Sequence, residues 1–175
     1  MLNKLKKEVC FFLKISILYY SKGGKTKIMA EEVALGMKQI QNIEVRLFDL
    51  SCNEIDEKFL SESKAVVFGT PTYYASSCWQ IKKWFDESHK YNLAGNLGAA
   101  FATADYAQGG ADCAISFILH HLMVKGMLVY SGGSAYGQPF IHLGAVALKE
   151  NFEESKQMFQ VFGERIAKKA AELFS

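Results

Sequence analysis

The sequence predicts an α/β fold: a five-stranded parallel sheet covered by helices on both faces. Three observations predict it. Short apolar runs alternate with amphipathic stretches along the chain. The runs are almost wholly apolar, as strands covered on both sides must be. Segments rich in Gly, Ser, Thr and Tyr follow the runs directly, where strand gives way to helix.

Residues 15–20 form the first strand, interrupted only by Ser16. Residues 25–39 form a helix whose broad apolar stripe is Ile28, Met29, Val33, Ala34, Leu35 and Met37. Residues 43–50 set Val45 and Leu47 against Arg46 and Phe48, and suit an edge strand. Residues 65–69 form a buried strand, and 76–89 a helix with Trp79, Ile81, Trp84 and Phe85 as candidate core. Residues 97–104 are small and apolar and suit a central strand packed closely by helices. A helix over 112–125, a fifth strand over 127–131 and a long helix over 150–174 complete the series. The last helix offers Phe152, Met158, Phe159, Phe162, Ile166, Ala170 and Leu173 as apolar positions.

A chain of 175 residues fits one domain, here 15–175 behind an N-terminal extension, 1–14. Twenty basic residues against eighteen acidic give a net charge of +2, which leaves no nucleic-acid footprint. Cys10, Cys52, Cys78 and Cys113 are far apart, with no Cys-x-x-Cys and no His at metal spacing. They are expected to be buried free thiols in a reducing compartment, with no metal site. The apolar run after Lys4, Lys6 and Lys7 is cut short by Lys14, unlike a signal peptide, and 15–20 is too short to span a bilayer. A cytoplasmic location and no membrane span are the expectation.

In an open parallel sheet a ligand sits beyond the carboxyl ends of the strands. That selects 21–26, 70–77, 103–110 and 131–140, which are also the segments with unusual chemistry. The first ends in Gly-Lys-Thr, as a nucleotide P-loop does. A P-loop, however, needs a glycine five residues before Gly24, and that position is Tyr19, inside the strand. What remains is a tight turn: Gly23 and Gly24 free the backbone, Ser21 and Thr26 add hydroxyls, and a helix start adds free amides and a positive dipole end. This suits a terminal phosphate monoester. In the second segment Pro71 fixes an extended turn, and Tyr73 and Tyr74 can cover a flat ring. The third offers Tyr106 and the backbone of Gly109 and Gly110; Ser131 to Gly137 completes the set. A flat heterocycle with a phosphate tail would bridge the first two.

Together these residues resemble the flavodoxin-like superfamily, in particular its FMN-dependent NAD(P)H:quinone oxidoreductase and NADPH-dependent FMN reductase branch. The resemblance spans about 15–173. It is densest in Tyr-Tyr-Ser-x-x-Gly at 19–24, Gly-Thr-Pro-Thr-Tyr-Tyr at 69–74, Leu-Ala-Gly-Asn-Leu-Gly-Ala-Ala-Phe at 93–101 and Gly-Gly-Ser-Ala-Tyr-Gly at 132–137. It implies a three-layer sandwich with strand order 2-1-3-4-5. It also implies that Ser21, Lys22, Gly23, Gly24, Lys25 and Thr26 hold the FMN phosphate. Pro71, Thr72, Tyr73 and Tyr74 would line one side of the isoalloxazine. Thr103, Ala104, Asp105, Tyr106, Gly109 and Gly110 would line the other edge. Lys125 stands where the quinone reductases often carry His.

The function so implied is an oxidoreductase. Hydride would pass from NADH or NADPH to FMN, and electrons on to a quinone, flavin or other small acceptor, with no catalytic side chain required. His142 is the one histidine singled out for a proton-transfer test, and a homodimer is the expected assembly. The alternative is an electron-transfer flavodoxin docking protein partners. Such carriers are usually acidic, and the net charge of +2 counts against it.

Overall fold

The computed structural model describes residues 12–52 and 54–175. Its elements in chain order are β1 (Leu13–Tyr19), α1 (Lys25–Met37), β2 (Ile43–Asp49), α2 (Glu57–Glu62), β3 (Ala65–Tyr73), β4 (Ser76–Ser77), α3 (Trp79–Glu87), β5 (Leu97–Ala104), α4 (Ala111–Val124), β6 (Leu128–Val129), β7 (Ala145–Leu148) and α5 (Phe152–Phe174). The strands form a seven-stranded sheet ordered β2-β1-β3-β5-β6, with β4 on β3 and β7 on β5. Setting aside the two-residue β4, the order is the expected 2-1-3-4-5.

Strand periodicity sends successive side chains to opposite faces. Ile15, Ile17, Ala65, Val67, Ala99 and Phe101 join the core under α1 and α5. Leu18, Val66, Phe68, Ala100 and Ala102 join the core under α2, α3 and α4. Each of the Val, Leu, Ile and Phe side chains among them contributes roughly 1.5–3 kcal/mol relative to exposure.

The helix stripes are narrower than the sequence predicts. In α1, Met29, Val33, Ala34 and Met37 are buried, but Ile28 and Leu35 face solvent. In α3, Ile81, Trp84 and Phe85 are buried, but Trp79 is 66% exposed. At α5 the outlier is Leu173, half exposed. The six-residue α2, absent from the sequence reading, starts where the Asp56 carboxylate accepts from Phe59 N. Of the cysteines, Cys78 is buried as expected, whereas Cys52 and Cys113 are exposed, against expectation; Cys10 lies outside the described residues.

The fifth strand position is split. Leu128–Val129 pair with Leu97 and Gly98, and Ala145–Leu148 pair with Phe101–Ala104. Residues 130–144 leave the sheet between them. Arg165 of α5 holds this excursion, donating to the carbonyls of Gly132, Gly133 and Pro139 through Nη1 and of Tyr136, Gly137 and Gln138 through Nη2.

Helices α1 and α5 approach so closely that glycine is required at both contacts. A Cβ on Gly163 would lie 2.1 Å from Val33 O, and one on Gly36 would lie 1.9 Å from Gln160 O. The obstacles are backbone and cannot swing aside. Gly163→Ala is therefore expected to destabilise by about 1–3 kcal/mol, although Ala is the better helix former by about 1 kcal/mol. Thermal unfolding monitored by circular dichroism checks this; an unchanged or higher Tm would mean the helices can separate freely.

Candidate functional site

The carboxyl ends of β1, β3 and β5 lie side by side because the three strands pair in parallel. After β1 the chain turns through Ser21 to Gly24 and enters α1. Gly24, the N-cap, has φ 87°, a conformation that costs an L-residue with a side chain roughly 1–2 kcal/mol. The Ile28 N–H donates to Gly24 O, so the amides of the first turn before it lack helical partners. No acidic side chain sits in that turn. The positive end of the helix therefore faces the rim with no acidic side chain of its own against it. Thr26, buried, places Oγ1 2.8 Å from Oγ1 of Thr103 on β5 and ties this turn to the far wall.

The second segment departs from expectation. Pro71 fixes no turn: it lies within β3, opposite Thr103. The reversal comes later, at Tyr74 (φ 48°) and Ala75 (φ 56°), after which Ser77 and Ser76 pair back on Thr72 and Tyr73. Two left-handed residues between paired strands form a tight hairpin, a place usually taken by Asn and Gly. Tyr74 and Ala75 hold it under strain of order 1 kcal/mol or more each. Ala75 packs against Gly110, the left-handed N-cap of α4, where a Cβ would come within 2.5 Å of the Ala75 Cβ.

These walls enclose a cavity of about 700 Å³. Ser21, Lys22, Gly23, Lys25 and Thr26 line it from the first segment, and Pro71, Thr72, Tyr73 and Tyr74 from the second. Thr103, Ala104, Asp105, Tyr106 and Gly109 line it from the third. Gly24 and Gly110 do not line it; they cap the helices that frame it. Ala75 lines it and was missed, since a small apolar residue carries no chemical signal. The fourth segment is not brought in: the 130–144 excursion carries Ser131 to Gly137 and exposed His142 elsewhere. Lys125 lies past the far end of α4, its Nζ donating to Ser88 O and Oγ.

Inside the cavity, Ser21 Oγ and Thr72 Oγ1 are buried with no hydrogen-bond partner. Such atoms mark positions that a ligand's polar groups can satisfy. Tyr73 and Tyr106 present exposed rings at the mouth, and Tyr74 is fully exposed at the hairpin tip. Burial pushes the Tyr73 phenol above its ordinary pKa, so it stays a neutral donor. Lys25 Nζ reaches Asp105 Oδ1 at 2.8 Å, linking the first and third segments, and that hydrogen bond draws the Asp105 carboxyl below its usual range.

A family model described as Flavodoxin matches residues 17–124. A flavodoxin of Clostridium saccharobutylicum is 53% identical over 93% of this chain and all of its own length. The chain belongs to the flavodoxin family. A flavodoxin of Aquifex aeolicus (strain VF5) is 31% identical over 88% of this chain and 85% of its own length. A Fusobacterium nucleatum flavodoxin solved with flavin mononucleotide bound is 16% identical, covers 91% of this chain and 98% of its own, and shares the fold at a TM-score of 0.69.

The expectation of an NAD(P)H-oxidising enzyme is overturned by these relatives. An NAD(P)H dehydrogenase (quinone) of Geotalea daltonii is far more distant than the first flavodoxin, 30% identical over 71% of this chain. The sequence reading went wrong for two physical reasons. The loops at the sheet rim belong to the fold shared by carriers and enzymes, so they cannot separate them. The net charge was also misleading. Its excess comes from the first eleven residues, where Lys4, Lys6 and Lys7 outnumber Glu8; the remainder is neutral.

The unpartnered and partnered hydroxyls predict opposite responses. Ser21→Ala removes an unsatisfied group and should leave the stability of the ligand-free protein within about 0.5 kcal/mol or raise it. Thr26→Val breaks the bond to Thr103 and should cost roughly 1 kcal/mol or more. Urea unfolding of both variants decides, and equal losses would contradict the assignment.

Proposed function

We propose that this chain is an electron-carrying flavodoxin that holds FMN in the rim cavity and passes electrons between protein partners. One observation carries the reading. A helix N-terminus, two cations and an unsatisfied serine hydroxyl line the cavity from the first segment, and tyrosine rings line it from the second and third. That combination suits a ligand with a phosphate tail and a flat ring.

The amides at the start of α1, with Ser21 and Thr26, would hold the phosphate, and Lys22 and Lys25 would balance its charge. Thr72 would satisfy a polar group on the ribityl chain or ring. Tyr73, Tyr74 and Tyr106 would cover the ring and exclude water from it. When bound, the flavin supplies reversible one- and two-electron chemistry, and the protein sets its potential by burial and hydrogen bonding. The acceptor in this reading is a protein docking at the tyrosine-lined mouth, not a free small molecule. No described helix is long and apolar enough to cross a membrane.

Apo-protein should take up FMN in a one-to-one yellow complex with quenched flavin fluorescence. The complex should accept electrons from a chemical reductant yet show no appreciable NADH or NADPH oxidation with a quinone present. Failure to take up FMN would remove the binding assignment; rapid nicotinamide turnover would remove the carrier assignment while leaving the binding one intact.

A further inference from the structure

We propose that a second cavity on the same rim binds a small uncharged aromatic amide, with the Trp84 indole N–H and the Gln80 side-chain carbonyl as its polar contacts. The cavity has a volume of about 290 Å³. Helix α3 lines it with Gln80, Lys83, Trp84 and Glu87. These positions are spaced i, i+3, i+4 and i+7, so they share one helix face. Tyr20, just past β1, and Leu50 and Ile55, past β2, line it from the strand ends. Tyr20 lies close enough to Tyr73 of the first cavity to act on its phenol, so the two cavities are neighbours.

Two features of that lining point to an occupant. Trp84 is more than nine-tenths buried, and its Nε1 has no hydrogen-bond partner; nor has the buried Gln80 Oε1. The Trp84 ring is packed against Phe68 and Tyr91, with centroids 5.0 and 5.9 Å away, so the N–H cannot turn to find water without disturbing the core. Trp79, expected in the core, instead lines this cavity and leaves a large flat surface exposed. An indole N–H only donates and an amide carbonyl only accepts, so a ligand that satisfies both must carry an acceptor and a donor. A carboxamide has both on one carbon. The Ser51 hydroxyl is already engaged, donating to Asp49 Oδ1 at 2.7 Å. The charged lining residues, Lys83 and Glu87, pair with each other at 3.9 Å, which favours a neutral ligand. Leu50, Ile55 and the indole rings suit an aromatic body. The volume falls just below the range of drug-sized sites, roughly 300–1,000 Å³, and suits a single ring rather than a nucleotide.

The chain has two tryptophans, and both line this cavity, so their indole N–H signals in NMR report on it. Benzamide is titrated into the isotope-labelled full chain with FMN present, while the amides of Gly23 to Thr26 report on the first cavity. Benzamide should shift both indole signals with about millimolar affinity and move the Trp84 N–H proton downfield. Acetophenone keeps the ring and carbonyl but lacks a donor, and benzoate adds a charge; each should bind at least about threefold more weakly. Gln80→Leu should weaken benzamide about three- to tenfold, as should Trp84→Phe. The comparison of the three probes on the native chain needs no variant to fold. Indole signals that do not move up to the solubility limit of benzamide would overturn the proposal, as would acetophenone binding as tightly as benzamide. Native-like benzamide affinity in Gln80→Leu would overturn it too, and shifts confined to Gly23 to Thr26 would do so by placing the probe in the first cavity. Failure to take up FMN bears on the earlier reading alone, because the second cavity does not depend on it.

Discussion

The parallel pairing of β1, β3 and β5 is the constraint on which the rest depends. Three strands running the same way must be joined by crossovers, so three strand ends emerge together on one rim and three helices start there. Helix starts bring unsatisfied amides and positive partial charge; strand ends bring loops free to carry polar and aromatic side chains. The rim is therefore electrostatically prepared for an anion before any particular residue is chosen. The buried Thr26–Thr103 contact then fixes the outer loops relative to one another, across the width of β3.

Close packing makes this rim rigid. Two glycine contacts let the C-terminal part of α1 lie directly on α5. On the opposite face, Gly110 admits the strained Tyr74–Ala75 tip and fixes how far the hairpin leans over the cavity. Arg165 plays a comparable part on the edge, gathering six carbonyls so that the 130–144 excursion can leave the sheet without disturbing β5. In each place a local cost in backbone conformation or desolvation is offset by contacts with a neighbouring element.

Much of the fold was legible because strand and helix periodicities are strong in a sheet covered on both faces. Residues such as Ile15, Val67 and Phe101 could belong nowhere but the core. The split fifth strand was not legible. Four residues, Ala145–Leu148, are too few to show a period, and their pairing is set by β5 rather than by local propensity. The position of Pro71 was misread because proline usually ends a strand, yet here it continues β3, with the reversal left to Tyr74 and Ala75. At the cavity, the residue types were legible and their partners were not. Nothing local in the sequence tells that Lys25 meets Asp105, eighty residues on. The choice between carrier and enzyme was beyond the reach of rim residues that both kinds of protein need.

The most direct test of the account is to follow backbone amide chemical shifts by NMR while FMN is added. The account predicts the largest shifts at Gly23, Gly24, Lys25 and Thr26 together with Thr72, Tyr73 and Asp105, and little change from Gly132 to Gly137. Shifts centred on the 130–144 excursion, with the start of α1 undisturbed, would contradict it.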